Sequence, residues 1–177
     1  MKRIAIVVLA ALAITSASYA QGTFNFSNGA AGVNAPVKMG DLAGPNVPLG
    51  NGYWVQAFAG TVGTAAGSLT AVATPIRFTL SAGYFFGGPT AVAGITGGTT
   101  VALQIRAWDA TLGTTAPALG TAGSGASNLI NVALVSSPTP ENNLVGLQSF
   151  AITPVPEPST IMLGIVGVGI LALRRRK

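Results

Sequence analysis

The residue types that usually carry out chemistry are scarce in this chain of 177 residues. It contains no Cys and no His, which removes thiolate nucleophiles, disulfides, the commonest general base and the commonest transition-metal ligands. Between the two ends the acids are Asp41, Asp109 and Glu141. A pair of carboxylates for glycoside hydrolysis could be drawn from them only if the fold united distant positions. Ser is abundant, yet no G-x-S-x-G elbow and no G-x-x-x-x-G-K-[ST] phosphate loop occurs. The reading is therefore that the chain is no enzyme, has no catalytic residue and no metal site, and needs no cofactor. What the sequence does offer is aromatic. Trp54 and Trp108, with Tyr53 beside the first, are candidates for stacking on sugar rings, and the run Tyr84-Phe85-Phe86 could act in the same way. Packing within strands is the plainer role for all of them. Asn25-Phe26-Ser27 matches a glycosylation sequon in form.

The elements that must position these side chains read as β-strands. Thr23-Phe24-Asn25-Phe26-Ser27 alternates before the turn dipeptide Asn28-Gly29, and residues 53–59, 75–80, 129–134 and 147–152 supply further short runs. The longest run covers 100–109 and puts Val101, Leu103 and Ile105 on one face. Gly- and Pro-rich breakers at 60–67, 94–98, 113–127 and 136–143 separate the runs, as does Gly87-Gly88-Pro89. No interior stretch keeps a 3.6-residue period, and no fixed repeat emerges. The expectation is an all-β domain over residues 21–153, a small antiparallel sandwich or barrel of about seven short strands.

Charge is sparse and segregated. Lys and Arg total 9 against 4 Asp and Glu, for a net charge of +5, yet charged residues are only 7% of the chain. Lys38, Arg77 and Arg106 balance Asp41, Asp109 and Glu141 within residues 21–153. A surface so poor in Lys and Arg cannot supply the phosphate contacts of nucleic-acid binding, so nucleic acid is excluded as a partner. The excess sits at the two ends.

At the start, Lys2-Arg3 precedes an apolar run from Ile4 to Ile14, and Ser18 and Ala20 place small residues before Gln21. This is the pattern of a secretory signal peptide over residues 1–20, cut between Ala20 and Gln21 by signal peptidase. At the end, Pro156-Glu157-Pro158 precedes an apolar run containing Ile161, Leu163, Val166, Ile170 and Leu173, closed by Arg174, Arg175, Arg176 and Lys177. The run is short for a ~20-residue span, and snorkelling of the terminal cations would offset part of the shortfall. Those cations form a cytoplasmic stop, as Lys2 and Arg3 hold the start on the same side, so the chain between is exported. The expectation is a domain outside, tethered by a C-terminal transmembrane helix.

Val-Pro-Glu-Pro-Ser-Thr, a short apolar segment and a terminal Arg cluster together resemble the PEP-CTERM sorting signal of Gram-negative bacteria, over about residues 154–177. The resemblance implies recognition of Pro156, Glu157 and Pro158 by a membrane-embedded exosortase. It also implies association with exopolysaccharide, biofilm matrix and the cell surface. The functional expectation that follows is an exported protein, membrane-anchored transiently or stably and then displayed or released, with a structural or adhesive role in exopolysaccharide. The alternative is a carbohydrate-binding module that uses exposed aromatics.

Overall fold

The structure, a computed structural model, describes residues 21–155. The expected signal peptide, the sorting residues Pro156, Glu157 and Pro158, the apolar run and the closing cations lie outside the described residues, as does Ala20. Gln21 is the first residue of the first strand and is exposed. The described chain forms strands β1 (Gln21–Ser27), β2 (Lys38–Met39), β3 (Gly50–Thr61), β4 (Thr70–Ala71), β5 (Ile76–Phe78), β6 (Phe86–Thr96), β7 (Thr100–Asp109), β8 (Ser124–Ala126), β9 (Ile130–Ala133) and β10 (Ala151–Ile152). Two short 3-10 turns, Ala66–Ser68 and Ala110–Leu112, are the helical elements among the described residues. None is long and apolar enough to cross a membrane.

The centre is the antiparallel ladder of β3 and β7, registered from Tyr53 opposite Asp109 to Thr61 opposite Val101. One face presents Val55, Ala57 and Ala59 beside Val101, Leu103, Ile105 and Ala107, all in the main core. β-branched side chains at Val101 and Ile105 suit a packed pleat. The other face carries Trp54, Gln56 and Phe58 beside Ala102, Gln104, Arg106 and Trp108, and it is covered as well. β9 and β8 share the far edge of β7, pairing with Thr100–Leu103 and Arg106–Trp108 respectively. β4 and β5 pair with β3 on its other side.

β1 brings Phe24 and Phe26 to the same core and pairs antiparallel with β6, Phe24 facing Thr90. Asn28-Gly29 therefore makes a bend and not a hairpin. Asn28 is 0% exposed, and its amide Nδ2 donates to Ala35 O (2.8 Å) and Gly83 O (2.9 Å) while Oδ1 accepts from Phe85 N (2.8 Å).

Four expectations change. Gly87-Gly88-Pro89 does not break the chain but runs inside β6. A Cβ on Gly87 would collide with the Phe26 ring, Gly88 takes φ +67°, and Pro89 is accommodated because β6 pairs only with β1, leaving one edge that needs no N–H. The assembly is not purely antiparallel, since β10 lies parallel to β2. Its sheets do not close, so no barrel forms. The strands number more than seven, and β3, β6 and β7 are long.

Candidate functional site

Two of the three acids serve local turns. Asp109 ends β7 and caps the following 3-10 turn, its Oδ1 accepting from Thr111 N (2.8 Å) and Thr111 Oγ1 (2.7 Å). Asp41 Oδ1 accepts from Ala43 N at 2.9 Å in its own turn. Among the described residues no group of three acids forms a metal-holding cluster.

Trp54 and Trp108 are register partners in the β3–β7 ladder, so both side chains lie on its second face. Trp108 is 0% exposed, and its indole Nε1 donates to Gly113 O at 3.0 Å. Chain beyond β7 folds back over it, so its ring has no face for a sugar. This corrects its candidacy as a stacking platform. Trp54 is half-buried, with the Arg77 guanidinium 3.1 Å from its ring centroid. Arg77 Nη1 also donates to the carbonyls of Asn51 and Tyr53, which fixes the cation over the ring.

The rest of this face is a polar layer without a carboxylate. Arg106, 9% exposed, sits 4.0 Å from the Phe58 ring centroid and donates through Nε to Gln104 Oε1 (3.1 Å) and through Nη2 to Ala66 O (2.5 Å). Gln104 passes the chain of bonds on to Ser127 O at 3.0 Å, and Gln56 Nε2 donates to Ala73 O at 2.6 Å. Burial lowers the Arg106 pKa below its ordinary value, in line with a cation held by neutral dipoles and a ring. Its role is to strap the 66–68 turn onto the sheet.

The remaining aromatic run opens a groove. Phe85 points inward, 4.9 Å from the Phe26 ring centroid and 6.3 Å from that of Phe78. Its neighbour Phe86 points outward and is 58% exposed, and Leu80 is 71% exposed. With Tyr84, Val33 and Asn34 they line a groove of about 370 Å³, and Ser27, Gly29 and Ser81 complete it. Tyr84 Oη donates to Asn34 Oδ1 at 2.7 Å. Among the described residues no charged side chain lines this groove. The Tyr84-Phe85-Phe86 run carried a sequence signal for it. Asn34 and Leu80 carried none, because only the fold brings the 33–35 loop against 80–86.

A second cavity of about 280 Å³ lies where the described chain ends, lined by Met39, Tyr53, Asp109, Thr153 and Val155 among others. Burial, and secondarily the Asp109 carboxylate, raise the Tyr53 pKa above the usual phenol value. Thr153 anchors this end: its N–H donates to Ser124 O (3.1 Å), its carbonyl accepts from Gly123 N (3.0 Å), and its Oγ1 donates to Ser124 O (3.1 Å).

An open β domain anchored by Thr153 just ahead of a Pro-Glu-Pro element defines a class: a folded module joined to a sorting tail. Residues 154–177 match the family model described as the PEP-CTERM protein-sorting motif. The chain thus carries a C-terminal PEP-CTERM sorting motif, which marks it as an exosortase-sorted protein exported to the cell envelope. The match covers the tail and not the β domain. No curated protein and no solved structure matches the chain.

Proposed function

We propose that this protein is a non-catalytic structural or adhesive component of an exopolysaccharide matrix. Residues 1–20 direct export and are removed after Ala20. Residues 21–153 form the β domain, and residues 154–177 sort it. In the tail, Pro156, Glu157 and Pro158 present the recognition element to exosortase. The apolar run from Ile161 to Leu173 anchors the chain while Arg174, Arg175, Arg176 and Lys177 remain on the cytoplasmic side. The observation that carries the reading is the tail match at residues 154–177. The balance of Lys38, Arg77 and Arg106 against Asp41, Asp109 and Glu141 supports it, because a neutral domain is neither drawn to nor repelled by a charged envelope surface.

Matrix from producing cells tests the role. The protein is expected in the washed matrix fraction and is expected to be released when the polysaccharide is depolymerised. Recovery only in the membrane fraction, with none in the matrix, would contradict it.

A further inference from the structure

We infer that the groove between residues 33–35 and 80–86 is a binding site for a neutral oligosaccharide. The inference rests on the matrix role above and names the site and ligand class through which that role is exercised.

Four observations carry it. The groove is concave, and its volume of about 370 Å³ lies within the range of about 300–1,000 Å³ of small-ligand sites. Flat contacts between copies of a chain are shaped otherwise. It combines an outward aromatic, Phe86, with the half-buried Tyr84 ring, and an aromatic face packs against the axial C–H surface of a pyranose. It also carries a matched polar pair. Tyr84 Oη spends its proton on Asn34 Oδ1, which leaves the phenol oxygen as an acceptor. The Asn34 Nδ2 group has no side-chain or backbone acceptor among the described residues. An acceptor and a double donor side by side suit two adjacent sugar hydroxyls, each of which both donates and accepts. Finally, the absence of a charged lining residue selects a neutral ligand over a uronic-acid or sulfated one.

The walls are set before any ligand arrives. Asn28 ties Ala35 on one wall to Gly83 and Phe85 on the other through its three side-chain bonds, and Phe85 is fixed beneath by Phe26 and Phe78. A site held in this way loses little entropy on binding. The same arrangement lets Phe86 and Asn34, both exposed, be replaced without touching the core.

The test titrates the full chain, in a detergent without a sugar headgroup, with cellohexaose, maltohexaose and mannohexaose, and with an alginate hexamer as the polyanionic arm, by calorimetry. At least one neutral hexaose is expected to bind more tightly than alginate. Phe86→Ala and Asn34→Ala should each weaken that binding by about tenfold at unchanged thermal midpoint, and Trp54→Ala should leave it unaltered. No heat from any neutral hexaose, stronger binding of alginate, or affinity that survives Phe86→Ala would overturn the assignment. So would a Phe86→Ala chain whose only change is a lower sedimenting mass, since a second copy would then fill the groove. The two proposals fail separately. Wild-type protein in the matrix with no neutral-glycan binding sinks the groove alone, whereas glycan binding by a protein absent from the matrix sinks the matrix role alone.

Discussion

Trp54 and Trp108 face each other directly across the β3–β7 ladder, on one side of the sheet, and yet occupy opposite environments. Trp108 is closed over by the chain that follows β7 and bonded to Gly113 O, while Trp54 meets solvent beneath the Arg77 guanidinium. Trp108→Ala should therefore cost about 3–5 kcal/mol, the range for emptying a large core site. Trp54→Ala should cost far less, chiefly its cation–π contact of about 0.5–1 kcal/mol. Urea unfolding of the two variants checks this, and equal losses would mean that Trp108 is not the buried partner.

Asn28 holds three backbone groups that have no water to turn to. Asn28→Ala strands the Phe85 N–H and the Ala35 carbonyl, while Gly83 O keeps the Val37 N–H at 2.9 Å. The expected loss is about 2–4 kcal/mol, because each buried group left without a partner costs about 1–3 kcal/mol. Asn28→Asp keeps the acceptor for Phe85 N but loses the donors to Ala35 and Gly83, so it should not rescue. Chemical denaturation gives the losses, and a cost below about 0.5 kcal/mol, as for a surface site, would contradict the bonding described.

β10 crosses so close to β8 that a Cβ on Gly125 would strike the Ala151 carbonyl. Gly125→Ala should lift β10 away and weaken its parallel pairing with β2, at about 1–3 kcal/mol. Amide exchange reads this locally. The Lys38 and Gly40 N–H groups, bonded to Phe150 O and Ile152 O, should exchange faster in the variant, while those of β7 keep their protection.

Tyr53 supplies a pH signature. Its pKa is raised in the folded state, first by burial and then by Asp109. The unfolded chain consequently gives up this proton first as pH rises. The contribution is fully present below the ordinary phenol value near 10 and declines as pH climbs through the folded value. Stability should fall above about pH 10, and Tyr53→Phe should make that fall shallower. An identical decline in the variant would show that Tyr53 titrates as it does in the unfolded chain.

The strand face of Val101, Leu103 and Ile105 was legible from alternation alone, as were the approximate positions of β1, β3, β5 and β9. The second face of β7 was not. Alternation assigns no cover to Gln104, Arg106 and Trp108, which the 66–68 turn and the chain after Leu112 bury through contacts distant in sequence or made by irregular loops. Gly87-Gly88-Pro89 read as a breaker because local propensity does not reveal that the Phe26 ring needs a strand without a side chain. The groove was half legible. Tyr84-Phe85-Phe86 signalled it, but which ring turns outward depends on the core that Phe26 and Phe78 offer to Phe85. The sorting element was legible outright, because its order of parts lies within one continuous segment.

Exosortase sorting of the β domain is tested most directly by deleting Pro156-Glu157-Pro158 from the full chain and fractionating the producing cells. The β domain is expected to fold still, since the deletion lies beyond the Thr153 anchor, but to accumulate unprocessed in the inner membrane and to be lost from the matrix. Unchanged processing and unchanged matrix display would contradict it.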